Sequence, residues 1–366
     1  HFKPDYSLHA LRSNNYICHA SCFSRELFEK AGDFRKEFDG SQDHDLILRL
    51  TEKADRIEHI SKVLYFWRCH EESVASDISA KTYAIDAGIN AVKAHLERNN
   101  ILGTVESSPV FPVIYDVKYK IKGDPKVSII VTSTGNAREC VKNIKKNTSY
   151  ANKEIFVCKS LEKRNAAAKS ANGDYIVFVD DRLRFSDKHW LKNLLGVCMQ
   201  KNSGAVSGKI IYKNGILRDA GIVLGAGANG IGANVLFRYK GDNEGYLGNM
   251  YFNREVSAVC DNLLMISKDN FLKVEGFNET LPEWYAGIDL SIKLNKTGVN
   301  NIVAPYVTAT FMEKEKERGI SGNFPSYSDL DEEFMEKHKE ALSKPDPYYN
   351  ENFDKRAANF IIKKIE

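Results

Sequence analysis

The 366-residue sequence lacks any long uninterrupted run of apolar residues. Its longest runs hold about five residues, as at residues 175–179, whereas about 20 are needed to cross a bilayer. It also lacks a surplus of charge of either sign, because 52 Lys and Arg residues stand against 49 Asp and Glu residues, a formal net charge of +3. These absences argue against a membrane-spanning protein and against nucleic acid as the main partner.

The sequence contains no pair of cysteines at a C-x-x-C spacing. Its seven cysteines are an odd number, and none is placed at the spacing of a zinc site. Cys158 and Cys260 lie inside apolar stretches, which is typical of buried reduced thiols. The first residues, HFKPDYSLHA, include neither an initiator Met nor the regions of a signal peptide. We therefore expect a cytoplasmic protein and a chain that is part of a longer polypeptide.

The composition is that of a folded protein, with 43% hydrophobic and 28% charged residues. A chain of this length suits two domains better than one. Residues 104–125 hold three of the nine prolines and end in Gly-Asp-Pro, which predicts a linker with some extended structure. The sequence therefore predicts domains at residues 1–103 and 126–345, and a C-terminal tail at residues 346–366.

The second predicted domain opens with an alternation of strands and helices. Apolar runs at residues 127–131, 154–158 and 175–179 are separated by helix-like stretches. This alternation predicts an α/β fold, with a mostly parallel sheet flanked by helices. Ligands of such sheets bind beyond the carboxyl ends of the strands. Asp180 and Asp181, directly after the third run, are therefore predicted to lie at a ligand site.

Two parts of the chain resemble each other. Residues 22–34 match residues 265–277, and after one inserted residue the match continues into the stretches that hold Asp45 and Asp289. These two aspartates are thus predicted to be equivalent. The first domain therefore looks like a partial copy, the back half of a domain whose complete copy follows.

Asp43 and Asp45 stand at the predicted start of an amphipathic helix. Carboxylates are favoured at that place by the free N–H groups and the helix dipole. Taken alone, the pair is explained by capping more simply than by catalysis. The aromatic and basic residues Trp67, Arg68 and His70 follow a strand-like stretch further along the chain, where a histidine is more often a surface residue than a ligand.

The combination of motifs carries a resemblance to a known family. Beside the acid pair at the helix start and the strand ending in Asp180-Asp181, the sequence holds WRxHxxSxA at residues 67–75, RNAAAKSANGDYIVFVDD at 164–181, SGKIIYKNGILRDAGIVLG at 207–225 and PDPYYN at 345–350. It resembles family 2 glycosyltransferases with the GT-A fold, in particular the tandem enzymes that build bacterial cell-surface polysaccharides. The resemblance covers nearly the whole chain.

The resemblance implies a nucleotide-sugar donor, held through Mn²⁺ or Mg²⁺ on its diphosphate, and a glycan or lipid-linked glycan acceptor. A carboxylate at a helix start would deprotonate the acceptor hydroxyl. The implied catalytic residues are Asp43 as the base, with Asp45 and Asp289. The implied donor-binding residues are Asp180, Asp181, Arg182 and Arg164, and the implied metal ligands are Asp180, Asp181 and His70. Trp67 and Arg68 would lie near the acceptor or the diphosphate.

Trp284 and Tyr285 lie just ahead of Asp289. An aromatic pair at this position either stacks on a sugar ring of the acceptor or packs in the core. Both alternatives stay open from the sequence.

The second unit departs from the family pattern. Arg182 stands where the family's second metal-binding carboxylate usually stands, and Gly287 lies opposite the implied base of the first unit. The position of His70 maps onto Met312 or Glu313. At each of these positions the second unit lacks the residue that the implied metal-dependent reaction would use.

Two functions therefore stay open. The chain is either a glycosyltransferase or a catalytically inactive pseudo-glycosyltransferase that acts as a scaffold or glycan-binding module. Arg182 in turn either binds a diphosphate in place of a metal or forms an ion pair with a neighbouring Asp. A lipid-linked acceptor would bring the cytoplasmic chain to the inner face of the membrane.

Overall fold

The computed structural model describes residues 1–66, 82–313 and 329–364. The chain separates into two units, the first formed by His1–Lys120 with Tyr251–Asn253, and the second by Ile121–Met250 with Arg254–Glu366. No helix in these described stretches is both long enough and apolar enough to cross a bilayer.

The described elements of the first unit are α1 (Leu8–Ser13), α2 (Arg25–Ala31), α3 (Gln42–Thr51), α4 (Thr82–Arg98), β1 (Gly103–Ser107) and β2 (Tyr115–Tyr119). The helices of the second unit are α5 (Ala137–Lys146), α6 (Leu161–Ser170), α7 (Trp190–Cys198), α8 (Lys268–Lys273), α9 (Glu283–Lys296), α10 (Asp329–Lys337) and α11 (Lys339–Ser343). Its strands are β3 (Val127–Thr132), β4 (Lys153–Cys158), β5 (Tyr175–Asp180), β6 (Leu183–Phe185), β7 (Ser203–Tyr212), β8 (Leu217–Asp219), β9 (Ile222–Leu224), β10 (Gly232–Asn234), β11 (Arg254–Val256), β12 (Leu263–Ser267) and β13 (Asn300–Phe311).

The first unit packs α3 and α4 with a hairpin of β1 and β2. The two strands pair antiparallel, and their inward-facing side chains join those of the helices in one hydrophobic core. Gly88 of α4 lets Tyr115 enter this core, because a Cβ at position 88 would lie 1.7 Å from the Tyr115 hydroxyl oxygen. The hairpin occupies most of the predicted linker at residues 104–125. Its two strands account for the extended structure that the sequence predicts in this stretch.

The second unit is built on a sheet with the strand order β11-β13-β7-β12-β5-β3-β4, to which β6 and β8 are added at β13 and β7. Strand β3 lies between β4 and β5 and is parallel to both. The predicted succession of three strands and two helices, and with it the α/β class, is confirmed. The whole sheet is mixed instead of mostly parallel, because β12 pairs antiparallel with β5 and β11 pairs antiparallel with β13.

Helices α6, α8 and α9 pack one core against β3, β5 and β12. Phe178 of β5 lies at its centre, with ring centroids 5.3 Å from Phe271 and 4.7 Å from Phe277. All six residues of β3 are buried, which explains its run of β-branched residues. This core fixes the place of the carboxyl end of β5.

The predicted tail at residues 346–366 belongs to the second unit. Asp346 is buried and accepts hydrogen bonds from the backbone N–H groups of Leu224 at 2.7 Å and Tyr348 at 2.9 Å. Burial raises the pKa of the Asp346 carboxyl to about 6, although these hydrogen bonds oppose the shift. The tail is thus attached to β9 through a carboxyl group whose protonation favours the fold.

Replacing Asp346 with Asn tests this attachment. Because the pKa of Asp346 rises from an ordinary 3.8 to about 6 on folding, the fold loses about 3 kcal/mol of stability as the pH rises from about 4 to about 6. Asn stays neutral at all of these pH values. The unfolding free energy of Asp346→Asn minus that of the wild type should therefore increase by about 3 kcal/mol between about pH 4 and 6, and stay constant above that range. Urea denaturation at several pH values measures the difference.

The matched control for this comparison is Asp354→Asn. Asp354 lies in the same tail, and its pKa is lowered by hydrogen bonds from Arg356. The difference in unfolding free energy between this control and the wild type should not change between about pH 4 and 6. A difference between wild type and Asp346→Asn that does not change with pH would contradict the interpretation.

Candidate functional site

Strand β5 ends at Asp180, and Asp181 follows directly. Both carboxylates lie at the carboxyl end of the parallel strands, where the sequence predicts them. They are almost fully out of water, with 3% of Asp180 and 0% of Asp181 exposed. A buried carboxylate is stable only when donors or cations satisfy it, so the partners of these two residues decide what the site can do.

Asp181 holds the loop between β3 and α5. Its Oδ2 accepts hydrogen bonds from the backbone N–H groups of Thr134 at 2.8 Å, Gly135 at 3.1 Å and Asn136 at 2.7 Å. Its Oδ1 accepts a hydrogen bond from the Thr134 hydroxyl at 2.6 Å. Both oxygens are therefore committed to the protein itself.

Asp180 forms a two-pronged ion pair with Arg182. Its Oδ1 accepts from Arg182 Nε at 2.8 Å and Oδ2 accepts from Nη2 at 2.6 Å. Oδ1 also accepts the Arg182 backbone N–H at 2.9 Å, and Oδ2 the Asn262 amide at 2.8 Å. Burial alone would raise the pKa of Asp180, but the guanidinium holds it below the ordinary value. Of the two roles predicted for Arg182, the structure contains the ion pair.

These residues do not fit the implied divalent cation. Mn²⁺ and Mg²⁺ prefer several oxygen ligands with open lone pairs, whereas the oxygens of Asp180 and Asp181 already accept hydrogen bonds from the protein. Nowhere in residues 1–66, 82–313 and 329–364 do three or more His, Cys, Asp or Glu side chains come together as they would to hold a metal. The third predicted ligand, His70, lies outside the described residues, as do Trp67 and Arg68.

Three residues that the sequence did not single out complete the surroundings of Asp180. Asn262 links it to Arg218, because the Asn262 Oδ1 accepts from Arg218 Nη1 at 2.9 Å. The guanidinium groups of Arg182 and Arg218 both lie over the ring of Phe311, at 4.8 and 4.2 Å from its centroid. Arg218 lies within a stretch that resembles the family, which was the one available signal.

Arg164, a predicted donor-binding residue, lies in the core. It is 0% exposed and donates from Nη1 to Asp261 at 2.8 Å. Its guanidinium lies 5.0 Å from the ring centroid of Phe178 and 4.4 Å from that of Phe277. The structure therefore places this side chain where it supports β5.

The aromatic pair ahead of Asp289 divides into a core residue and a surface residue. The Tyr285 hydroxyl donates to Asp331, and its ring stacks on Phe334 with centroids 4.5 Å apart. Tyr285 thus packs in the core, one of the two alternatives left open by the sequence. Trp284 is 44% exposed. Its ring presents apolar surface to solvent, as a sugar-stacking residue would.

The predicted equivalents Asp45 and Asp289 are both fully buried anchors. Asp289 lies 2.9 Å from His338 Nε2 and 3.1 Å from Lys293 Nζ. Burial would raise the pKa of Asp289, but these partners hold it well below the ordinary value. Asp45 accepts from Arg49 Nε at 3.0 Å and is paired with Arg35 as well. Neither carboxylate is available to take a proton from a substrate.

The two stretches matched in the sequence share further contacts. Ser24 and Ser267 cap α2 and α8, each accepting a backbone N–H with its hydroxyl oxygen. In both stretches the cation four residues after the buried aspartate also donates to a backbone carbonyl that lies just beyond the preceding helix. These bonds run from Arg49 to Asp33 and from Lys293 to Gly276. The duplication stays a prediction, with contacts as well as residue types in its favour.

The two matched stretches differ at the position of the implied base. Asp43 is half-buried at the first turn of α3, where its carboxylate accepts from Asn15 Nδ2 and from the backbone N–H of His44, both at 2.9 Å. At the matching position, a Cβ on Gly287 would lie 2.5 Å from the Val259 carbonyl oxygen and 2.6 Å from the Asp261 nitrogen. The first unit thus has a carboxylate where the second has no room for a side chain.

The sequence matches no protein-family model. It is 29% identical over 406 aligned residues to uncharacterized protein y4gI of Sinorhizobium fredii (strain NBRC 101917 / NGR234), in a match that takes in 99% of this chain and 44% of that protein. It is 29% identical over 332 aligned residues to O-antigen biosynthesis protein RfbC of Myxococcus xanthus, with 81% of this chain and 26% of that protein matched. The chain therefore spans less than half the length of these curated relatives.

Solved structures are similar to parts of the chain. A structure of GalNAc-T7 with UDP, GalNAc and Mn²⁺ matches 63% of this chain and 53% of its own, with a TM-score of 0.42 and 11% identity. A structure of the mannosyltransferase PcManGT from Pyrobaculum calidifontis in complex with GDP-Man and Mn²⁺ matches 54% of this chain and 59% of its own, with a TM-score of 0.36 and 14% identity. Both likenesses are partial.

Replacing each of the two acids of α3 with Asn should distinguish Asp45, whose carboxylate stabilises the fold, from Asp43, whose carboxylate is available to a substrate. Asp45→Asn removes the charge that two arginines surround, so we expect the first unit to lose about 3–5 kcal/mol of stability. Asp43→Asn should cost less than about 1 kcal/mol, since the half-buried side chain loses its charge at the helix start and keeps one oxygen that can accept a hydrogen bond from Asn15 or from the backbone. Urea denaturation, with hydrogen exchange of the α3 amides to assign the transition, measures both variants. Equal losses would contradict the division.

Gly287→Ala should destabilise the second unit by about 1–3 kcal/mol, because the added methyl group meets backbone atoms that cannot rotate away. In an exposed helix the same exchange stabilises by about 0.5–1 kcal/mol, so the sign alone is informative. Chemical denaturation measures the change. Lys296→Ala, at an exposed position of the same helix, is the control and should stay near the wild type. A stabilised Gly287→Ala would show that position 287 is open.

Proposed function

We propose that this chain is part of a glycosyltransferase that works in the assembly of a bacterial surface polysaccharide. The observation that carries the proposal is the match to an O-antigen biosynthesis protein over 81% of this chain. A match of that extent is longer than either unit alone, so it includes residues of both. The substrates would be a nucleotide-sugar donor and a growing glycan or lipid-linked glycan, as for the tandem enzymes of family 2 that the motifs resemble.

We assign the acceptor-activating carboxylate of the first unit to Asp43. A general base has to reach the hydroxyl it deprotonates, and Asp43 is the member of the acid pair that remains partly exposed. The amide of Asn15 orients its carboxylate. Asp45, fully buried between two arginines, would keep the helix in place instead.

The second unit has the features of a binding module without metal-dependent transfer. Arg182 neutralises Asp180, Gly287 leaves no room for a base, and Asp289 is held by three basic groups. These observations favour the pseudo-glycosyltransferase alternative for this unit. Trp284, exposed at the start of α9, is the residue on which a sugar ring would stack.

A thermal-shift titration of the chain with UDP-, GDP-, CMP- and dTDP-sugars, with and without Mn²⁺, tests the proposal. A ligand that binds only the folded state stabilises it by RT ln(1 + [L]/Kd), about 2.7 kcal/mol at a hundredfold excess over Kd. We expect at least one sugar nucleotide to raise the melting temperature equally with and without the metal. The matching nucleoside monophosphate is the control ligand.

Two outcomes would contradict parts of this proposal. If none of the donors shifts the melting temperature of a chain that melts cooperatively, the proposed binding of a sugar nucleotide is contradicted. A shift that requires Mn²⁺ and is lost in Asp180→Asn, or sustained sugar-nucleotide turnover lost in the same variant, would overturn the assignment of the second unit.

A further inference from the structure

The guanidinium of Arg182 lies between two carboxylates and over an aromatic ring. Nε and Nη2 are bonded to Asp180, Nη1 is 3.4 Å from Glu313 Oε2, and the Phe311 ring lies 4.8 Å from Cζ. The side chain is only 23% exposed. Its position, in the short turn between β5 and β6, is therefore fixed from several sides.

This guanidinium donates hydrogen bonds to both carboxylate oxygens of Asp180, which a divalent cation would need as ligands. Each oxygen of Asp180 accepts one bond from the Arg182 guanidinium. Oδ1 accepts a second bond from the Arg182 backbone N–H, and Oδ2 accepts a second bond from the Asn262 amide. Asp181 offers no alternative, since its oxygens accept four hydrogen bonds from Thr134, Gly135 and Asn136. A divalent ion could reach Asp180 only by displacing Arg182, which would leave a partly buried cation beside it.

We propose that Arg182 is a built-in counter-ion that takes the place of a divalent cation at Asp180, so that the second unit binds neither Mn²⁺ nor Mg²⁺ there. The positive charge is supplied by the chain and does not depend on the concentration of metal. The guanidinium keeps its charge at any physiological pH and, unlike a bound ion, cannot dissociate.

Titration of free Mn²⁺, followed by its electron paramagnetic resonance signal, tests the inference on the whole chain. The wild type should bind no Mn²⁺ that depends on Asp180. Arg182→Ala removes the guanidinium from both oxygens of Asp180, each of which keeps one other donor. Arg182→Asp in addition places a second carboxylate two residues away, so both variants should gain a Mn²⁺ site. Adding Asp180→Asn to either variant should abolish the gain, which separates this site from adventitious surface binding.

Arg184→Ala is the matched control. Arg184 lies two residues further along, and its Nη1 donates to the carbonyl oxygens of Asp181 at 2.8 Å and Leu183 at 2.7 Å, away from the Asp180 carboxylate. This variant should bind no more Mn²⁺ than the wild type. Circular dichroism and a cooperative melt establish that each variant is folded.

Two results would overturn the inference. One is Mn²⁺ binding by the wild type that Asp180→Asn abolishes. The other is the absence of any gain in folded Arg182→Ala and Arg182→Asp. The titration contains no sugar nucleotide, so this inference and the proposed function of the same site can fail independently.

Discussion

Buried carboxylates need hydrogen-bond donors or cations as partners. In this protein, the partners of four such carboxylates determine how the residues around the candidate site are arranged. Asp45, Asp180, Asp181 and Asp289 lie at 0–3% exposure. Leaving such a charge without partners would cost several kcal/mol. Each is therefore surrounded by donors, which fix the loop after β3, the end of β5 and the positions of α3 and α9. The same donors leave these carboxylates little capacity for a ligand.

The two units use this constraint differently. In the second unit the acids at the end of β5 and in α9 are satisfied within the protein, and Gly287 closes the remaining position. In the first unit the buried Asp45 is ion-paired with Arg35 and Arg49, whereas its partly exposed neighbour Asp43 accepts hydrogen bonds from Asn15 and a backbone N–H. Asp43 and Asp45 have the same side chain, and they differ in that only Asp43 is partly exposed. The proposed division between an acceptor-activating first unit and a binding second unit follows from this difference.

The part of the fold that the sequence predicts correctly is the part with the strongest local pattern. Strands β3, β4 and β5 and helices α5 and α6 were predicted from β-branched runs and the helical stretches between them. The antiparallel entry of β12 next to β5 was not predicted, because the direction of a strand in a sheet depends on the path of the chain between strands. For residues 104–125 the sequence predicts a linker with some extended structure, and β1 and β2 lie largely there, but their antiparallel pairing was not predicted.

For the candidate site, the sequence by itself determined the local features. These are an acid pair at the end of a buried strand, the serine caps of α2 and α8, and a cation four residues after each buried helix aspartate. Such features depend on residues within one or two turns of each other, whose spacing the sequence states directly. The tertiary structure alone decided that Asn262 and Phe311 meet Asp180 and Arg182, and that backbone at residues 259–261 closes position 287. Those partners lie tens of residues or more away along the chain, and only the packing of the sheet and its helices brings them together.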